Sequence, residues 1–234
     1  MSDQARTTTG NLGRAHLAVV SGTPMLLEAR RRRRGRYERF AKPVVDRSLG
    51  LVMSLLTLPI VIIVSLAVFI DLGRPVILRQ ERVGKDGKRF NVYKLRTMHP
   101  DRRQFRGRGF VGSDRRFTHK SDTDPRHTEL GRFLRKWSLD ELPQLWNVVL
   151  GHMSLVGPRP EMVQIVERYQ PWQHQRHEVK PGITGLWQIS ARGELPMHEA
   201  THIDLKYLAR VSFMTDLKIM TLTIPAALGA RTGQ

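Results

Sequence analysis

The stretch SLGLVMSLLTLPIVIIVSLAVFI runs from Ser48 to Ile70 without one charged residue. At 1.5 Å per residue, a helix of that length measures roughly 35 Å, close to the ~30 Å hydrocarbon core of a bilayer. A soluble core has little use for a helix apolar on every side, so a membrane helix is expected here rather than a buried one. Arg36, Arg39, Lys42 and Arg47 precede the segment, and Arg74, Arg79, Arg82, Lys85, Lys88 and Arg89 follow it. Cations on both flanks draw both ends to the cytoplasm. Pro59 stands near the midpoint, where it removes one N–H and crowds the carbonyl of Leu55. Ser54 or Thr57 could satisfy a backbone group freed there. The expectation is a re-entrant, monotopic helix over residues 42–71, kinked at Pro59, with a plain spanning helix as the alternative.

Residues 1–41 read as a basic tail with little order, carrying an unbroken arginine run from Arg30 to Arg34. No cleavable signal peptide is expected, because residues 1–20 lack an apolar core ahead of a small-residue cleavage site. Residues 72–234 read as one α+β domain, mostly helical, with a small β-hairpin and amphipathic surface helices. PVILRQERVG and RFNVYKLRTM are short β-rich runs joined by the turn GKDGK, which makes the hairpin. Residues 101–125 are polar, basic and punctuated by glycine, hence a loop. RHTELGRFLRKW and LPMHEATHIDLKYLARVS have helical spacing, while MVQIVERYQPWQHQRHEV is broken at Pro171. The apolar DLKIMTLTIPAALGA lies either on the membrane surface or in the core.

The chain has 234 residues, 39 Lys+Arg against 21 Asp+Glu, and a formal charge of +18. Such a balance favours an anionic partner: nucleic acid, a lipid surface or a phosphorylated substrate. Cysteine is absent, which removes disulfides, thiolate nucleophiles and cysteine-bound zinc. Against this basic background Asp140 and Glu141 stand side by side in SLDELPQLW. Ser138 and Glu141 fit a helix-capping box, although Pro143 would sit more comfortably if the helix began later. An acid in a first helical turn is also favoured in its ionised form and is a usable nucleophile or metal ligand. Spacing leaves capping and catalysis equal. The cations add weight to catalysis: Arg135 upstream, Arg159 between Pro158 and Pro160, and Lys94 and Arg96 in YKLRTM. Guanidinium groups grip phosphate bidentately and lysine acts as a point charge. Two acids among several cations suit phosphoryl transfer with a divalent metal.

ILRQERVGKDGKRFNVYKLRTM, DPRHTELGRFLRKWSLDELPQLWNVVLGHMSLVGPRPE and VKPGITGLWQISARGELPMHEATHIDLKYLARVSFMTDLKIMTLTI resemble the bacterial sugar transferase family, the monotopic polyprenyl-phosphate hexose-1-phosphate transferases or phosphoglycosyl transferases. The resemblance runs from about Lys42 to about Ile224, with LDELPQL and GPRP its most specific blocks. It implies a re-entrant helix anchoring a catalytic domain on the cytoplasmic face of the bacterial plasma membrane. It implies attack by Asp140 on a UDP-sugar with Mg²⁺ (or Mn²⁺) present, a phosphosugar-enzyme, release of UMP, and transfer to polyprenyl (undecaprenyl) phosphate. Asp140 is then nucleophile and metal ligand, Glu141 its partner acid or base, and Lys94, Arg96, Arg135 and Arg159 phosphate and substrate contacts. Leu58 stands where the family often has serine before the kink proline, and Leu95 where phenylalanine is usual. Larger relatives carry further membrane helices ahead of this unit, so the chain resembles the minimal form. Exopolysaccharide or other surface-glycan initiation is the family expectation, with a homo-oligomer left open.

Two other classes compete. HEATH, from His198 to His202, matches the zinc motif H-E-x-x-H with Glu199 as a base. The extended zinc-protease form would need glycine and histidine where Leu205 and Leu208 stand, and no glutamate follows Glu199 to serve as third ligand. The arginine-rich tail and the basic 101–116 loop could touch nucleic acid, but no recognition motif accompanies them, and no nucleic-acid partner is expected.

Overall fold

A computed structural model describes residues 17–20, 23–26, 34–99, 126–190 and 199–228. The chain divides into Met1–Arg33 and a compact unit from Arg34 onward. In the first, β1 (Leu17–Val20) pairs antiparallel with β2 (Thr23–Leu26), a hairpin that the composition of the tail did not announce. The polar loop expected at 101–125 lies outside the described residues.

In the second unit a π-helical turn, Tyr37–Ala41, leads into α1 (Lys42–Leu72). Its 31 residues give a length of about 46 Å. The helix continues through Pro59, and Gly73 ends it with a positive φ of 70°. Ser54 and Thr57 do not serve the carbonyl of Leu55. Their hydroxyls donate to the carbonyls of Gly50 and Met53, at 2.7 Å each, the usual back-bond of a hydroxyl one turn earlier. Leu55, Leu56, Ile62, Ile63, Leu66 and Ile70 are exposed along the outer length of the helix. So much bare apolar surface fits association with a membrane.

β3 (Ile77–Val83) and β4 (Arg89–Leu95) form the expected antiparallel hairpin, with Leu78 opposite Lys94. Between them the chain turns through Asp86 and Gly87, both at positive φ. Next come α2 (Glu129–Lys136), capped by the Thr128 hydroxyl, a 3₁₀ turn at Leu139–Glu141, and α3 (Gln144–Val149). β5 (Ser154–Val156) pairs in parallel with β7 (Gly182–Thr184), and β6 (Glu161–Met162) adds to β3, giving the order β4-β3-β6. Between β6 and β7 lie α4 (Val163–Val166) and a 3₁₀ helix, Pro171–Glu178. The helices α5 (Leu186–Ser190), α6 (Thr201–Leu208) and α7 (Phe213–Leu228) close the unit. The core gathers Val92, Leu145, Val148, Met153, Leu155, Val156, Val179, Tyr207, Leu208 and Ile219 from β4, β5, α3, α6, α7 and the connections ahead of β5 and β7.

α7 shows why its sequence read two ways. Asp216 and Ile219 are buried, while Met214, Leu217, Leu222 and Ile224 are exposed. One stripe is core and another is bare apolar surface. Asp216 also ties α1 to the domain. Its carboxylate accepts from Tyr37 Oη at 2.8 Å, Lys42 Nζ at 2.6 Å and Tyr207 Oη at 2.8 Å. One turn on, Asp46 Oδ1 accepts from the backbone N–H of Leu155. At Gly50 the helix approaches α3 so closely that a Cβ would lie 3.0 Å from Val148 Cγ1.

Candidate active site

Three chain segments build the site. β4 supplies Lys94. Along a strand, alternate residues share a face, so Lys94 follows Phe90 and Val92 on the side that packs on α3. Asn147, fully buried on α3, holds the strand there. Its Oδ1 accepts from Tyr93 N at 3.0 Å and its Nδ2 donates to Asn91 O at 2.7 Å. One amide therefore satisfies the free edge of β4 as a neighbouring strand would.

The 3₁₀ turn supplies both acids. The capping box expected at Ser138 is not formed: Ser138 sits at φ 55° and its side chain caps nothing. Pro143 is the reason. Lacking an N–H, it takes the N-cap position, and α3 begins only at Gln144. Asp140 consequently lies ahead of the helix rather than in its first turn, and its charge is met by a side chain. Asp140 is 1% exposed, and Lys94 Nζ stands 2.6 Å from its Oδ2 and 4.0 Å from Glu141 Oε1. The approach to Oδ2 is off the hydrogen-bond axis, so this buried oxygen accepts no aligned hydrogen bond.

The third segment is the Gly157–Pro160 loop. Arg159 grips Glu141 with both arms: Nη1 donates to Oε2 at 3.0 Å and Nη2 donates to Oε1. Glu141 is the main cause that holds the Arg159 guanidinium above the ordinary arginine range, against the opposing effect of burial, with Asp140 and Glu161 adding to it. Lys94, Asp140, Glu141 and Arg159 thus form one constellation of two acids and two cations.

The other expected cations are placed differently. Arg96 is buried and donates to the carbonyls of Arg74 at 2.9 Å and Met98 at 3.1 Å, so it fastens backbone and does not face the acids. The cause is the end of the strand: alternation would put Arg96 on the face of Lys94, but it lies just past the end of β4, where the chain has left the sheet. Arg135 stands in the last turn of α2 and donates to His127 Nε2 at 2.9 Å. Two residues that sequence spacing did not single out flank the site. Arg82, on β3, lies 3.9 Å from the buried Glu161, and burial lowers its pKa, with Arg159 adding to that effect. A signal for Arg82 existed, since it sits on the hairpin strand that carries no obvious core pattern.

A magnesium ion usually keeps one or two carboxylates and completes its shell with substrate phosphates and water. Asp140 Oδ2, buried and without an aligned donor, suits that role, with Glu141 beside it. Among the described residues no three His, Asp or Glu side chains are grouped to hold an ion by themselves. His198 of the HEATH motif lies outside the described residues; Glu199 and His202 belong to no such group.

The family model for bacterial sugar transferases matches residues 37–230. A galactosyl transferase of Streptococcus agalactiae is 43% identical over 67% of this chain and 35% of its own length. A UDP-glucose:undecaprenyl-phosphate glucose-1-phosphate transferase of Escherichia coli is 40% identical over 80% of this chain and 40% of its own. An uncharacterized sugar transferase of Bacillus subtilis is 38% identical over 80% of this chain and 87% of its own. The chain therefore spans well under half of the first two relatives and most of the third.

Proposed function

The chain belongs to the bacterial sugar transferase family, and from that premise we propose that it transfers a sugar-1-phosphate from a UDP-sugar to polyprenyl (undecaprenyl) phosphate and releases UMP. The observation that carries the reading is the buried Asp140 carboxylate against Lys94, with Glu141 held in the fork of Arg159. Relatives named for glucose-1-phosphate transfer to undecaprenyl phosphate and for transfer of galactose to a lipid carrier agree with this substrate class.

In the first step an Asp140 oxygen attacks the sugar-bearing phosphorus of the donor. A new P–O bond forms, the anhydride P–O bond breaks, and UMP leaves with the bonding pair. In the second step a phosphate oxygen of the polyprenyl carrier attacks the same phosphorus and expels Asp140, leaving a polyprenyl diphosphate-sugar. Covalent catalysis divides one transfer into two. Lys94 balances the charge of the buried carboxylate, and Arg159 orients Glu141 with both arms while its remaining N–H groups can meet a phosphate. Glu141 is positioned to take or give a proton at the acceptor phosphate. A bound Mg²⁺ or Mn²⁺ would be held by Asp140 and Glu141 and would neutralise diphosphate charge.

In this reading α1 anchors the domain to the cytoplasmic face of the bacterial plasma membrane as a re-entrant helix. Cations on both flanks and Pro59 at its middle support that topology. The step would be the first membrane reaction of exopolysaccharide or other surface-glycan assembly. The test is a burst of UMP, stoichiometric with enzyme, when UDP-sugars are added to detergent-solubilised protein without lipid. Asp140→Asn should abolish the burst and any labelled enzyme adduct from a β-phosphate-labelled donor; full activity in that variant would refute the mechanism. For topology, cysteines at positions 39 and 73 should both resist an impermeant label in intact cells, and labelling of one alone would show a spanning helix.

A further inference from the structure

The Gly157–Pro160 loop has an unusual fastening problem. Pro158 and Pro160 carry no N–H, so the loop can be tied down mainly through its carbonyls. Two ties are ordinary: Gly157 N donates to Thr184 O at 2.9 Å, and Pro158 O accepts from Gly182 N at 2.9 Å. The third comes from a buried charge. Arg176 Nη2 donates to the backbone carbonyl of Arg159 at 2.9 Å, and Nη1 donates to Tyr169 Oη at 2.5 Å. The Arg176 side chain is 1% exposed, and its counter-ion is Asp204 on α6, 2% exposed, with Oδ2 2.7 Å from Nη2.

A half-buried arginine on this loop and a fully buried one in the 3₁₀ helix beside it thus meet, each with its own acid: Arg159 with Glu141 and Arg176 with Asp204. A full charge pair is a costly way to hold one carbonyl, because desolvating both ions offsets most of their attraction. What the pair gains is direction. Asp204 commits Arg176 to one orientation. Arg176 in turn fixes the carbonyl of the residue whose side chain grips that acid. The α6 helix, which the HEATH spelling suggested for zinc, delivers Asp204 instead.

We propose that Arg176 and Asp204 are positioning residues for Arg159, setting the angle at which its guanidinium meets Glu141 and the substrate phosphate. The inference rests on the transferase reading above. Its central test is the paired swap R176M/D204L, since replacing both members of a buried pair by apolar groups is often neutral in stability whereas removing one is not. Misplacing Arg159 in this swap should lower kcat/KM for UMP release on the order of tenfold to a hundredfold. In an R159M background the same swap should add less than about twofold, because the group it acts through is gone. Equal losses in the two backgrounds, or no loss in the first, would overturn the proposal. Should the swap fail to fold, R176K takes its place: it keeps the charge against Asp204 and gives up the fork that reaches Arg159.

A second cycle needs no turnover. E141Q weakens the grip of Arg159 and should lower the melting temperature of the wild type by at least about twice as much as that of the swap. Equal shifts would overturn the positioning role. If the wild type releases no UMP from any UDP-sugar, the transferase reading fails, and this thermal cycle alone decides the role of Arg176.

Discussion

Lys94→Met isolates the electrostatics of the site from its chemistry. Lys94 Nζ is 2.6 Å from Asp140 Oδ2, so at an effective dielectric of about 20 their attraction is about 6 kcal/mol before desolvation is counted. Part of that is returned as hydration when the pair is broken. Removing one member of a buried pair typically costs about 3–5 kcal/mol. The Lys94 side chain keeps 23% of its exposure, which places the cost at the lower end, about 3 kcal/mol. For a chain of this size each kcal/mol moves the melting temperature by about 2–4 °C, so a fall of about 6–12 °C is expected. Lys94→Met combined with Asp140→Asn removes both charges and should recover most of it. The assay is thermal unfolding in detergent, followed by intrinsic fluorescence of the wild type, both single variants and the double. A Lys94→Met protein within about 1 kcal/mol of wild type, or a double variant no better than the single, would show that the contact carries no net energy.

Three further outcomes are expected. Arg159→Lys loses one of two charge-assisted hydrogen bonds to Glu141, each worth about 1.5–3 kcal/mol, so UMP release should slow at least about tenfold; wild-type turnover would remove Arg159 from the site. Asn147→Leu leaves Tyr93 N–H and Asn91 C=O without partners at the edge of β4, costing about 2–4 kcal/mol in denaturant unfolding; a variant as stable as the wild type would show that the amide carries no net energy. His177 is buried with its pKa pushed down to about 3, first by burial and then by Arg176 and His174. The unfolded chain takes up that proton near pH 6.5 and the folded one does not, so stability present above pH 6.5 should drain by up to about 1.4 kcal/mol per pH unit as pH falls toward 3. His177→Asn should flatten that slope in pH-dependent melting, and an unchanged slope would place the proton uptake elsewhere.

Local patterning made the hairpin legible, because β-rich runs around GKDGK demand a tight turn, and it made α1 legible because no other element is uncharged for so long. Asp140 and Glu141 stood out through adjacency, and Arg159 through its two prolines. What escaped was decided by tertiary pairing. Ser138 has the right neighbours for a cap, yet Pro143 moves the helix start beyond it. Arg96 has the right chemistry for phosphate, yet the end of β4 turns it onto two carbonyls. Arg176 and Asp204 lie far apart in sequence and come from segments whose composition suggests nothing in common. Asn147 looks like an ordinary helix residue until β4 is laid beside it.

The carboxylate of Asp216 binds a hydroxyl from the turn before α1, an ammonium from its first turn, and a hydroxyl from α6. Together with the close approach of Gly50 to Val148, this makes the root of α1 a welded bracket rather than a swivel. α3, pressed against that bracket, follows directly on the turn that bears Asp140. With α1 seated in a bilayer as proposed, the altitude of the carboxylate above the lipid becomes a constant of the molecule. A lipid-borne phosphate would then have to rise to a set height to react, and the enzyme would sort its acceptors partly as a depth gauge does, by how far the headgroup stands out of the membrane.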